Sequence, residues 1–396
     1  MRITFVLPGY PWKPVGGFRV VYEYANYLTM RGHGVSVVHA RWLGNLSPPS
    51  WQTPYRRLRW EGWALRNRLI TPEVRWQPID PRVQLIYVPE LTSRYLPDAD
   101  AIFATAWQTA EYVNDYPSSK GEKFYLIQSF ETWSGSKARV DATWKMPLHK
   151  VVIAGWLYDL GTQMGCRDMV KIPNALDHSR FKLSTPVPDR RKRVSMMFSH
   201  QELKGSADGL TALRIAKSEC PDLEAVFFGV SPRPRSLPAW IEYRQNPSQR
   251  ELIENIYNSS CIFVCPSWTE GFALPPAEAM ACGCAVASTD CGGVREFSEH
   301  GATALFSAPK DPEVLARNIL RLLEDDDLRT RIALEGHKRI QAFTWERSTD
   351  LLEEFIQDRV NHGPHADSRE ASLGTTCAGS GSNSSGRQIA KSFHRR

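Results

Sequence analysis

Short aliphatic and β-branched runs alternate with amphipathic stretches along most of this chain, and the alternation occurs in two rounds. The first round opens with "RITFVLP" (2–8), a strand-like run closed by Pro-Gly, and continues through a Gly-Gly turn, a helical segment and "VSVVHA" (35–40). Strand, glycine loop, helix and strand in that order open a parallel α/β sheet. Further strand-like runs are "VQLIYVP" (83–89), "DAIFATA" (100–106), "KFYLIQS" (123–129) and "KVVIAG" (150–155), with helical stretches between several of them. The second round begins at "VSMMFS" (194–199), followed by a helix over about 208–218, "EAVFFG" (224–229), a helix near 248–258, "CIFVCPS" (261–267), a helix over about 276–282, "CAVAST" (284–289) and "TALFS" (303–307). A long helix over 311–325 and a last one over 344–360 complete the periodic part.

Between the rounds, "KIPNALDHSRFKLSTPVPDRRKR" (171–193) is rich in Pro and charge and lacks a period, as an interdomain connection does. The expected organisation is an N-terminal Rossmann-like domain over 1–178, a linker over 179–193, a second Rossmann-like domain over 194–345, a closing helix over 346–361 and a disordered Gly- and Ser-rich tail over 362–396. Two doubly wound units in tandem leave a cleft between them. Ligands of such sheets sit at the carboxyl ends of the strands, so the facing edges are where chemistry is expected.

Composition narrows the classes. The chain has 396 residues, 42% hydrophobic and 23% charged, which suits two globular domains. No run approaches the roughly 18 consecutive apolar residues of a membrane-spanning helix, and the N-terminal run breaks at Pro8 before a signal-peptide core is complete, so a cytoplasmic protein is expected. The eight cysteines are scattered, which favours reduced packing thiols; Cys282 and Cys284 have no partners at zinc-site spacing, and no metal is expected. A net charge of +6 does not announce nucleic acid. One stretch is locally basic: residues 55–76 hold six arginines against two glutamates, with three tryptophans interleaved. Arg56, Arg57, Arg59, Trp60 and Trp63 are read either as a surface for anionic lipid on the inner face of the plasma membrane, or as a surface helix whose tryptophans pack inward.

The candidate chemistry lies in "WTEGFALPPAEAM" (268–280), a loop at a strand's carboxyl end that runs into a helix with prolines in its first turn, where missing amide donors cost nothing. Glu270 falls in the loop and Glu278 in the helix. The amides of Gly271, Phe272, Ala273 and Leu274, with a helix N-terminus behind them, suit an anion, and a carboxylate accepts paired hydrogen bonds from vicinal sugar hydroxyls. Spacing alone equally allows Glu278 to serve only the helix and Glu270 to be a solvated loop group.

The wider segment "EGFALPPAEAMACGCAVASTDCGGVREF" resembles the E-x7-E segment of retaining glycosyltransferases of the GT-B fold, and is most similar to glycosyltransferase family 4. Other landmarks follow in order over about residues 1–360: "PVGGFRVVYEYANYLTMRGHGVSVV" resembles the family's Gly-Gly loop and helix, "IPNALD" its I-P-N-G-V-D stretch, "ELKGSADGL" its K-G segment and "FTWERS" its closing helix. The resemblance implies a metal-independent transferase without cofactor, moving a sugar from a nucleotide diphosphate donor to a hydroxyl acceptor. It implies that Glu278 binds the donor ribose, Glu270 the transferred sugar, residues 271–274 the sugar and phosphate, and Lys204 the diphosphate, with Gly16 and Gly17 approaching from the other domain. Glu270 and Lys204 are the catalytic candidates. The chain departs from the family twice. No arginine stands between Val194 and Lys204, so His200 or an arginine from elsewhere, such as Arg19, must supply the second charge. Where many members carry a His after the strand matching "DAIFATA", this chain has "ATAWQTAEYV", which together with "KFYLIQSFETW" resembles a subgroup acting on bacterial cell-surface polysaccharides, some with deoxythymidine diphosphate rhamnose; Thr105 and Trp107 would lie near sugar or acceptor, a glycan or lipid-linked chain. A nucleotide-sugar 2-epimerase of similar fold and a non-catalytic nucleotide-sugar binder remain the alternatives.

Overall fold

The computed structural model of the chain describes residues 1–10, 13–41, 43 and 74–362. The basic stretch carrying Arg56, Arg57, Arg59, Trp60 and Trp63 lies outside them, as does the expected disordered tail from 363 onward.

The first unit is a parallel sheet of strands β1 (Arg2–Leu7), β2 (Gly34–Ala40), β3 (Gln84–Val88), β4 (Ala101–Ala104), β5 (Glu122–Ile127), β6 (His149–Val152) and β7 (Met169–Lys171), in the order β3-β2-β1-β4-β5-β6-β7. Its helices are α1 (Gly16–Met30), α2 (Trp107–Asp115), α3 (Lys137–Trp144) and α4 (Gly155–Gln163). β1 and β4 are buried along nearly their whole length because helices cover both faces, which is why the sequence shows apolar runs there instead of alternation. Phe5, Phe103 and Phe124 stack across β1, β4 and β5 with centroids 4.9 and 4.7 Å apart. α1 turns Val20, Val21, Tyr24, Ala25 and Leu28 into this core, an i, i+1, i+4, i+5, i+8 stripe.

The second unit has β8 (Arg193–Met197), β9 (Glu224–Gly229), β10 (Ile241–Gln245), β11 (Ile262–Cys265), β12 (Ala285–Thr289) and β13 (Leu305–Ser307), in the order β10-β9-β8-β11-β12-β13 and again parallel. α5 (Ser206–Glu219), α6 (Leu274–Ala281), α7 (Pro312–Glu324) and α8 (Asp326–Ile340) flank it. β7, β10 and α8 are not anticipated by the sequence reading. The helix expected over 311–325 ends at Glu324, and the acidic run 324–327 is a junction: Asp325 accepts the Leu328 amide at 2.8 Å and starts α8. The helix expected near 248–258 is one α-turn, Gln249–Glu251, widening into a π-turn over Leu252–Tyr257.

α9 (Trp345–His362) returns to the first unit. Its Trp345 is buried edge-on to Tyr24 at 5.2 Å, and Glu353 meets Arg31 at 2.9 Å and His33 at 2.8 Å. The chain thus passes between the units twice, and the passages touch: Leu176 pairs with Thr344 and donates its amide to the Phe343 carbonyl at 3.1 Å. After the first passage the chain is fastened to the second unit. The Asn258 carboxamide accepts the Ser184 amide at 2.8 Å and donates to the Lys182 carbonyl at 3.1 Å, while the buried Arg190 guanidinium donates to the Ser260 carbonyl at 2.9 Å.

Candidate active site

In each sheet the strand order reverses once, between β1 and β4 and between β8 and β11, and the loops at those two points separate to leave a crevice at the carboxyl edge. The sequence candidates gather there. Gly16 and Gly17 follow β1, Thr105 and Trp107 follow β4, His200 and Lys204 follow β8, and Glu270 follows β11 with Glu278 on α6 behind it. The two crevices face one another and touch: Gly16 lies against the Leu274 side chain, and Gly271 lies against the backbone carbonyl of Gln128, at the end of β5.

Lys204 is set by its neighbour. Gly205 has φ of 57°, and a Cβ there would stand 1.9 Å from the Pro266 carbonyl oxygen, so only glycine turns the chain tightly enough to aim Lys204 across the crevice. The ammonium meets both carboxylate oxygens of Glu270, at 2.8 and 2.9 Å. Burial disfavours charge on this lysine, but the facing Glu270 carboxylate outweighs it, and the net shift is upward, keeping the ammonium protonated. Ser267 donates to Glu270 at 2.7 Å from below. The Glu270 backbone forms a one-residue bridge with Gly292, so the residue is fixed at both levels.

Glu278 is buried in the middle of α6 at 3% exposure, and both its oxygens are occupied. One accepts the guanidinium of Arg19, which reaches across from α1; the other accepts the Tyr257 hydroxyl at 3.0 Å. Arg19 also sits over the Phe181 ring at 5.1 Å. Burial works against its charge, yet the carboxylates of Glu278 and then Glu23 leave its pKa raised. Removing one member of such a pair leaves a buried charge uncompensated, at about 3–5 kcal/mol. Arg19 entered the sequence reading only as one source of a missing cation, and Tyr257 not at all, since a tyrosine inside a helical stretch carries no signal of a partner 21 residues on.

The loop joining the glutamates is strained and open. Ala273 precedes α6 in the left-handed region, φ 65° and ψ 64°, an uncommon place for a residue with a Cβ. Among the described residues, no backbone acceptor takes the amides of Gly271, Phe272, Ala273 or Leu274. The Phe272 ring is core, packed on Phe297 at 5.2 Å and Phe343 at 6.0 Å, so this residue offers only its backbone to the crevice. Gly271 lies so close to the Gln128 carbonyl that a Cβ would fall 1.8 Å from its oxygen. Trp156 of α4 donates to the Glu270 and Gly271 carbonyls at 3.0 and 3.2 Å, and Glu296 joins the units again through the Gly155 amide at 2.8 Å and Lys171 at 2.7 Å.

The remaining candidates are less engaged. His200 is exposed and stands edge-on to Phe198 at 5.2 Å. Thr105 donates its hydroxyl to the Val6 carbonyl at 2.7 Å, tying β4 to β1. The Trp107 side chain is buried in the first unit and donates its Nε1–H to the Ser134 hydroxyl at 2.9 Å, so the ring is not presented to a ligand. Its amide, however, donates at 3.0 Å to Glu131, whose carboxyl burial pushes up to about 7 while that hydrogen bond restrains the rise. Nothing in the sequence marks Glu131 as special.

With this geometry in view, the kinship of the chain can be stated. Its class is GT-B: it superposes on sucrose-phosphate synthase from Thermosynechococcus elongatus with TM-score 0.69 at 17% identity, covering 90% of this chain and 98% of that one. It also superposes on Anabaena HepE in complex with UDP and glucose, with TM-score 0.67 at 16% identity, covering 90% and 100%. More particularly, residues 184–339, the second unit, match the family model for glycosyl transferases group 1. A D-inositol 3-phosphate glycosyltransferase of Corynebacterium kroppenstedtii is 27% identical over 220 residues, 56% of this chain and 43% of that protein. An O-antigen chain mannosyltransferase B of Escherichia coli is 34% identical over 111 residues, 28% of each. The chain therefore spans less than half the length of these curated relatives.

Proposed function

We propose that this protein is a retaining glycosyltransferase that moves a sugar from a nucleotide diphosphate sugar to a hydroxyl of a glycan or lipid-linked acceptor in cell-surface polysaccharide synthesis. The observation that carries the reading is the pair of carboxylates Glu270 and Glu278 on one loop and helix at the crevice of the second sheet, each already facing a cation. A carboxylate so placed can exchange its cation for vicinal hydroxyls, Glu278 for those of a ribose and Glu270 for those of the transferred sugar. Between them the amides of residues 271–274 and the Lys204 ammonium suit a diphosphate, and they stabilise the charge that develops on it as the bond to the sugar breaks, without a metal. The acceptor oxygen bonds to the anomeric carbon, the bond to the diphosphate breaks, and the acceptor proton passes to the departing phosphate oxygen. Contact between the crevices keeps water from the reacting carbon. Kinship of the second unit with group 1 glycosyl transferases supports the reading.

The test is a panel of uridine, guanosine, adenosine and thymidine diphosphates scored by thermal stabilisation, followed by the matching radiolabelled nucleotide sugars with a lipid extract. Stabilisation by one base and transfer of label to lipid are expected. Conversion of the sugar to an epimer with no acceptor, or binding with no turnover, would replace the reading with one of its alternatives.

A further inference from the structure

Arg19 poses a problem that the proposed donor site does not itself resolve. Its guanidinium occupies the Glu278 oxygen that a ribose would need, and the other oxygen is held by Tyr257. A donor that takes Glu278 therefore evicts a cation that is only 17% exposed and leaves it in a setting where burial opposes its charge. Its nearest remaining carboxylate, Glu23 one turn along α1, is itself buried, already accepts Gln77 at 2.8 Å, and faces Arg180 at 3.7 Å. Glu23 can soften the loss but is poorly placed to make a second full pair.

The donor brings a compensating anion to the same place. Arg19 lies one turn into the helix that begins at Gly16, and Gly16 rests on Leu274, the first residue of α6, whose open amides suit a diphosphate. On the other side of that position Lys204 is the single cation that the β8 loop supplies, and it is shared with Glu270. We propose that Arg19 is handed from Glu278 to the donor diphosphate: ribose hydroxyls take the carboxylate, and the displaced guanidinium takes the phosphate oxygens. Resting on the donor-site reading above, this assigns the second phosphate cation to the first unit, and it makes the exchange a selectivity filter. A nucleoside without phosphates must strand a buried guanidinium in order to bind. A nucleoside diphosphate does not, because a planar guanidinium fits phosphate oxygens in pairs. One of the contacts across the cleft and recognition of the diphosphate then share the same side chain.

The experiment compares the nucleoside diphosphate that stabilises the wild-type chain most with its parent nucleoside, measuring both dissociation constants by calorimetry. In Arg19→Ala the diphosphate is expected to bind more weakly and the nucleoside as well as before or better, so that the ratio of the two constants shrinks about tenfold or more. Arg19→Lys, which keeps a charge but loses the paired geometry, should recover part of the ratio; it also serves if the alanine variant does not fold, since a drop smaller than that of Arg19→Gln is expected of it. Two dissociation constants that both stay unchanged overturn the proposal by making Arg19 purely structural. Equal tightening of both ligands overturns it by making Arg19 a simple latch on the cleft. If no nucleotide of any base binds the wild-type chain, the donor-site reading falls and this inference with it.

Discussion

Glu278 and Arg19 form a unit, and single substitutions should reveal it. Glu278→Ala removes the proposed ribose acceptor and strands Arg19, so loss of nucleotide binding should come with a stability loss of about 3–5 kcal/mol. The double variant Arg19→Ala, Glu278→Ala should recover much of that stability while nucleotide binding stays lost, and a thermal-shift series with and without nucleotide separates the two effects. Recovery of neither, or of both, would contradict the pairing. Glu131 supplies a second case. Its folded carboxyl is raised from 4.5 to about 7, so the fold favours the protonated form. That contribution is complete below about pH 4.5 and is lost as pH climbs through 7. Melting temperature should accordingly fall between pH 5 and 8 by more in wild type than in Glu131→Gln, and parallel curves would refute the assignment. Glu270, Glu278 and Lys204 could be singled out in the sequence because each stands in a short local pattern that resembles a known family's, and the structure brings all three to one crevice. The partner of Glu278 was not, since it lies 259 positions away and only the tertiary fold brings it near.

Among the elements, those with long apolar runs were readable and those at the margins were not. β7 is three residues and β10 is an edge strand, "IEYRQ", with one buried residue, so neither shows the run that marks a strand covered on both faces. α8 carries buried Leu328, Ile332, Ala333, Gly336 and Ile340 at helical spacing, but its acidic start reads as the end of the helix before it. The π-turn over Leu252–Tyr257 has no sequence signature, yet it delivers Tyr257 to Glu278. The start of α6 offers a test of local strain. Ala273→Gly relieves a left-handed residue that costs about 1 kcal/mol, offset in part by the greater freedom of glycine when unfolded, and should be neutral or slightly stabilising. Ala273→Val at the same backbone angles should lower the melting temperature clearly. Equal melting of the two variants would mean that the loop relaxes without cost.

For the molecule as a whole, the two units are joined by contacts that leave little tolerance. Gly271→Ala places a methyl 1.8 Å from the Gln128 oxygen, so the crevices must part. Small-angle scattering should give a larger radius of gyration for this variant, and transfer activity should fall with it; an unchanged radius would show that the loop yields instead. Trp345→Ala empties the seam between α9 and α1 and should cost about 3–5 kcal/mol in denaturant melts. The two-sheet architecture was legible because strand and helix rhythm restart after a Pro-rich break, whereas the groups that join the units, the Trp156 and Glu296 side chains and the Gln128 carbonyl, belong to no repeating pattern. The paired passages at Leu176 and Thr344 have a mechanical consequence. Two chain segments side by side, bonded to each other and with the first anchored by Asn258 and Arg190 just beyond, form a strap hinge and not a swivel. If the proposed donor site opens and closes, this geometry predicts a rotation about an axis near Leu176 and Thr344 in preference to a twist.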